Sequence, residues 1–134
     1  MSVLTEIQTY LTSLGSLGTI KIGFMPATPN VLGCLYEYGG QSPERAFGTT
    51  GIKYENPAFQ LVFRGDPFDY AGPRAKAEIA YRALAAIVPG QLGGGITTEY
   101  LMVTPQQAPH PTEPIDLNNR HNIGVNFYAT KVLS

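Results

Sequence analysis

The sequence predicts an α+β domain: a mainly antiparallel sheet with two helices packed on one face and long loops between strands. Three observations predict it. Two segments place apolar residues three and four apart, the spacing of a helix stripe. Five segments alternate apolar and polar residues as half-buried strands do. The strands are also grouped between the helices, in the order α-β-β-β-α-β-β, without the regular βαβ alternation of a parallel sheet.

The first helix is expected over residues 3 to 14, with Leu4, Ile7, Leu11 and Leu14 in one stripe and Gly15 as its stop. "TIKIGF" follows as a short strand, then the turn-rich "MPATPN". In "VLGCLYEY", Leu32, Cys34, Tyr36 and Tyr38 fall on one face, with Val31, Gly33, Leu35 and Glu37 on the other. "AFQLVFRG" sets Phe59, Leu61 and Phe63 against Ala58, Gln60, Val62 and Arg64 in the same way. The second helix is expected from about Pro73 to Ile87, with Pro73 tolerated in its first turn and Ala77, Ala80, Leu84 and Ile87 as its stripe. Two more strands are read at 96 to 103 and 122 to 132.

Two connections, 39 to 56 and 104 to 121, are each 18 residues long. Compact domains rarely carry loops beyond roughly 12 to 15 residues unless those loops bind something or stay disordered. The second holds Pro105, Pro109, Pro111 and Pro114, so it is expected to be extended and stiff, an arm reaching a neighbour or a solvent-exposed flap.

At 134 residues the chain is expected to be one domain, 1–134, with a core that needs no staples. Cys34 is the single cysteine, which excludes an intrachain disulfide and a thiolate metal centre. Nine basic residues stand against ten acidic ones, and they are scattered. That pattern argues against nucleic acid as the primary partner, because phosphate binding needs a concentrated positive field. Charged residues make up 14%, against roughly 25% in ordinary soluble domains, so some of the surface is expected to be covered by protein. No apolar run is long enough to span a bilayer and the first residues lack a basic segment, so neither a membrane anchor nor an ordinary export signal is expected.

No catalytic motif is found: no G-x-S-x-G elbow, Walker A loop, H-E-x-x-H or C-x-x-C. The histidines, His110 and His121, lie in or beside the proline-rich connection. Asp66 and Asp69 in "RGDPFDY" are the best candidates for paired carboxylates, with Arg64 near enough in sequence to pair with either. Capping of the following helix by Asp69 and a surface ion pair account for this group as a structural corner. No metal, cofactor or catalytic residue is expected. Tyrosines without accompanying charge suit protein interfaces, and Tyr54 in the first long connection is the one expected at an interface.

In the order of four pieces the chain resembles the tail terminator, or minor capsid, proteins of long-tailed bacteriophages. The pieces are the N-terminal helix; "NVLGCLYEYGG"; "FQLVFRG" with the proline-capped helix ending "AKAEIAYRALAAI"; and the final strand "NRHNIGVNFYAT". The likeness spans nearly the whole chain, although residues 104 to 119 have no clear counterpart in it. It implies a non-enzymatic virion protein at the head-tail interface, assembled in the host cytoplasm. Such a protein forms a hexameric ring that stops tail-tube polymerisation and meets the tail-tube protein and the head-tail connector, with DNA only as passing cargo. Interface residues are then expected in the two long connections: Arg45, Phe47, Lys53 and Tyr54 in the first, and Gln106, His110, Glu113, Asp116 and Arg120 in the second. The alternatives are a connector adaptor or tail-tube-like subunit and, from another class, a small cytoplasmic enzyme or ligand-binding domain with its site near Arg64, Asp66 and Asp69.

Overall fold

The computed structural model describes residues 3–44, 54–87 and 100–132. Its elements are α1 (Val3–Ser13), β1 (Ile20–Ile22), β2 (Leu32–Glu44), β3 (Tyr54–Pro67), α2 (Ala71–Ala85), β4 (Tyr100–Pro105), β5 (His110–Pro111) and β6 (Arg120–Val132). The strands form one sheet in the order β1-β2-β3-β6-β4, and β5 also pairs with β6. Only β1 and β2 are parallel, and the other pairs are antiparallel. The fold is α+β, as the alternation and grouping predict.

Register decides which residues meet the helices. Leu35, Leu61 and Val125 lie in one row across β2, β3 and β6, and Phe59 lies opposite Phe127, their rings stacked at 5.2 Å. With Phe63 and Ile123 these side chains form a core with Leu4, Ile7 and Leu11 of α1 and Ala77, Ala80 and Leu84 of α2. The alanines bring α2 close to the sheet, so the large side chains of this layer come from the strands. Gly33 shares this face, and a Cβ there would lie 2.9 Å from the Phe63 ring, so the glycine makes room for the aromatic.

The opposite face holds Leu32, Cys34, Tyr36 and Tyr38 of β2, Ala58, Gln60, Val62 and Arg64 of β3, and Asn122, Gly124, Asn126 and Tyr128 of β6. No helix covers it. Residues 23–31, the connection from β1 to the parallel strand β2, pass over one end of it, and Leu32, Cys34, Val62 and Arg64 are buried there.

Several boundaries differ from the sequence reading. Leu14 lies past the end of α1 and is 36% exposed, so it is not part of the buried stripe. Gly15 does take the left-handed conformation of a helix stop, at φ 78°. The helix α2 starts two residues before Pro73. The described parts of the first long connection, 39–44 and 54–56, are strand: β2 runs to Glu44 and pairs with β3 at Gln41↔Asn56 and Glu44↔Tyr54, through two register shifts. Residues 96–99 of the strand read at 96 to 103 lie outside the described residues, and β4 runs from 100 to 105.

The proline-rich connection is no extended arm. Gln106 N donates to Asn126 O, β5 pairs with Gly124 and Ile123, Thr112 N donates to Asn122 O, and Arg74 Nη1 donates to Pro109 O. The segment is laid along the edge of β6. Prolines suit that position, because an edge strand has one side on which a missing N–H breaks no ladder bond.

Candidate functional site

Arg64 extends from the face of β3 that faces away from the helices, under residues 23–31. Its Nε donates to Asn30 O at 2.9 Å, and its Nη2 donates to Pro26 O at 2.6 Å and Pro29 O at 2.8 Å. It makes no ion pair with Asp66 or Asp69, which corrects the expected corner. The reason is strand parity: the even-numbered face of β3 points the guanidinium into the loop, while a register shift after Arg64 turns the chain elsewhere.

Arg120, at the start of β6, enters the same cluster and is also buried. Its Nη1 donates to Ala27 O at 2.8 Å and to Asn30 Oδ1 at 3.3 Å, and its Nε donates to Asp116 Oδ2 at 3.1 Å. The other carboxylate oxygen, Asp116 Oδ1, accepts from the backbone N–H groups of Asn118 and Arg120 at 2.9 Å each. Burial and the neighbouring Arg120 charge both lower the Arg64 pKa. Most of these donors are committed to main-chain carbonyls of residues 26–30, so the cluster anchors a loop. Asp116 and Arg120, both expected at an interface, are here ion-paired with each other.

Asp69 does meet the start of α2: its Oδ1 accepts from Gly72 N at 3.0 Å. Asp66 accepts in the turn through its backbone oxygen, from Asp69 N at 3.0 Å, and its carboxylate lies 3.5 Å from the Asn30 amide. The two carboxylates thus serve separate local bonds. Burial raises the Cys34 pKa, with hydrogen bonds from its surroundings opposing it, and burial beside Cys34 pushes Tyr36 up to about 12. Neither group is activated as a nucleophile or base. Among the described residues no cluster of His, Cys, Asp or Glu has the makings of a metal site, and no helix is long and apolar enough to cross a membrane.

Of the other expected interface residues, Arg45, Phe47 and Lys53 lie outside the described residues. Tyr54 opens β3, its backbone paired with Glu44 and Val132. Gln106 is exposed, and its Oε1 accepts from the Tyr38 hydroxyl at 3.3 Å. His110 Nδ1 lies 3.0 Å from Ala108 O, and Glu113 Oε1 accepts from Asn122 Nδ2 at 3.1 Å.

The structure adds a surface that periodicity missed. Three segments, 23–31, 66–70 and 112–119, are tied together at one end of the sheet by the arginine cluster and by Phe68 N donating to Asn119 O at 2.7 Å. They carry Phe24, 70% exposed, Phe68, 73% exposed, and Leu117, fully exposed, with Ile115 and Tyr70 partly so. Phe68 has a φ of 62°, a conformation costly for a bulky side chain. The available signal was each residue's place among turn formers, in "GFMP", "DPFDY" and "IDLNN": a lone apolar side chain there belongs to no buried stripe.

No family model matches the chain, and no curated protein matches it at a significant level. Among solved structures, a protein that carries only a sequence label is similar at a TM-score of 0.51 and 15% identity, over 97% of this chain and 90% of that one. The likeness is one of fold alone. It extends across nearly the whole of both chains, so the α+β arrangement described above is shared as a unit.

Proposed function

We propose that the chain is a structural subunit of a long-tailed phage, of the tail terminator class, which assembles into a ring on the end of the tail tube. The observation that carries the reading is the ordered set of four resembling segments, which fall on α1, on β2, on β3 with α2, and on β6. Each falls on one element or an adjoining pair, in chain order from the first helix to the last strand, while β1, β4 and β5 lie outside them. The exposed apolar residues Phe24, Phe68 and Leu117, on three segments tied together at one end of the sheet, support the reading, since grouped apolar exposure marks protein contacts.

In this reading the ring is a hexamer that contacts the tail-tube protein on one side and the head-tail connector on the other. DNA passes through it as cargo, and the protein resides in the virion after assembly in the host cytoplasm. Native mass spectrometry and negative-stain imaging at tens of micromolar, with and without the tail-tube protein encoded in the same genome, test it. Rings are expected, and more of them with tube protein. A strictly monomeric protein that ignores tube protein overturns the reading.

A further inference from the structure

We infer that subunits join by strand addition, with β4 of one copy pairing antiparallel with the outer edge of β2 in the next. The inference deepens the ring reading and rests on its self-association.

β1 covers the outer edge of β2 only at Gly33, Cys34 and Leu35. From Tyr36 to Glu44, among the described residues, nothing pairs with that edge. On the far side of the sheet, β4 pairs with β6 on one side and, among the described residues, with nothing on the other. An open edge is a row of unpaired N–H and C=O groups, a template for another strand. The sequence of β4, "YLMVTP", carries no charge, and its one edge-blunting residue, Pro105, stands at the strand's end.

The two open edges match in height. One row across the sheet reads Tyr38, Ala58, Tyr128, Thr104, so it begins on uncovered β2 and ends on β4. A lower row reads Lys21, Cys34, Val62, Gly124, His110, so it begins on β1 and ends on β5. Where β1 stops covering β2, β4 takes over from β5 at the opposite edge.

Polarity matches as well. β2, β3, β6 and β4 alternate in direction, so β2 and β4 run opposite ways. Two copies side by side in the same orientation therefore present an antiparallel pair. The bonds from Gly23 N to Leu35 O and from Gly33 N to Thr19 O show that odd-numbered residues of β2 turn their backbone groups outward. Glu37 is the next in that series and has no β1 partner. On β4, Gln106 N donates inward to Asn126 O, which leaves the backbone of Val103 facing out.

Such a contact is head-to-tail, and it closes into a ring only if each step turns by a fixed fraction of a circle. The sheet supplies a turn: the Tyr38 hydroxyl reaches Gln106 across β3 and β6, so this half curls over the helix-free face. Successive copies then bend the same way.

Glu37→Pro removes one outward N–H and leaves the β2–β3 ladder intact, while Glu37→Thr keeps that N–H. Native mass spectrometry is expected to show rings for wild type and Glu37→Thr, and monomer for Glu37→Pro with unchanged circular dichroism and thermal midpoint. Rings from Glu37→Pro overturn strand addition and leave the ring reading standing. Absence of any self-association by wild type, with or without tube protein, overturns both. A second test does not depend on how proline is tolerated. Tyr38 and Thr104 lie three strand spacings of roughly 4.8 Å apart within one sheet, too far for an intrachain disulfide. The double variant Tyr38→Cys, Thr104→Cys is expected to give a ladder of disulfide-linked multimers on oxidation, with neither single variant doing so. Rings without a ladder overturn the pairing.

Discussion

Arg64 and Arg120 place two cations on one buried face against a single ion-paired carboxylate, Asp116, and the remaining solvation comes from the carbonyls of Pro26, Ala27, Pro29 and Asn30. Removing a donor strands those oxygens, which is worse than never burying the pair. Arg64→Met is expected to lower unfolding free energy by roughly 3 kcal/mol in urea titrations. Asp116 gives a pH signature. Burial alone would raise its carboxyl, but the N–H groups of Arg120 and Asn118 and the Arg120 guanidinium outweigh that and hold it below its ordinary value near 3.8. A lowered folded-state value means the stabilisation is complete above that ordinary value and is lost as pH falls through the lower one. Acid titration of stability is therefore expected to show a component in wild type that Asp116→Asn lacks. Phe68 and Leu117 are the opposite case, large side chains that contribute little to folding. The double variant Phe68→Asn, Leu117→Ser is expected to stay within about 0.5 kcal/mol of wild type while weakening binding to tube or connector protein in pull-downs.

At the scale of elements, stripe residues near the helix ends have different fates. Leu84, the last stripe residue inside α2, is fully buried, and Leu84→Ala is expected to cost about 2–5 kcal/mol. Leu14 shares the period of α1 but lies beyond its end and is 36% exposed, so Leu14→Ala is expected to be nearly silent in the same urea titrations. The faces of β3 were legible because Phe59, Leu61 and Phe63 alternate with smaller or polar residues and one face meets helices. The long β2–β3 ladder was not, because Gly39, Gly40 and Pro43 read as turn formers, and pairing across register shifts leaves no period in the sequence. The proline-rich segment misled for a related reason: prolines mark extended chain, and edge strand and free arm are both extended. The corner around Arg64 was legible as a place but not as a set of bonds. Apart from Asp116, four positions before Arg120, the partners of Arg64 and Arg120 lie in residues 26 to 30, more than thirty positions away, and no spacing rule links them.

For the molecule as a whole, the connection between β1 and β2 sets how the N-terminal third is held. Parallel neighbours need a crossover, usually a dozen or more residues with a helix, and this one spans only residues 23–31 with no regular element in it. α1 lies against β1 and β2, and Gln8 Nε2 donates to Ile20 O at 2.7 Å, so helix and strand are coupled before either meets the rest. The crossover's carbonyls are held by Arg64 and Arg120 from β3 and β6. Helix, strand and crossover are therefore expected to behave as one cooperative unit, latched to the sheet from the side opposite the helix. Amide hydrogen exchange is expected to show α1 and β1 opening together, at a lower free energy than the β3–β6 ladder, and Arg64→Met is expected to lower that opening energy equally for both. A helix on one face would then report the state of two side chains on the other.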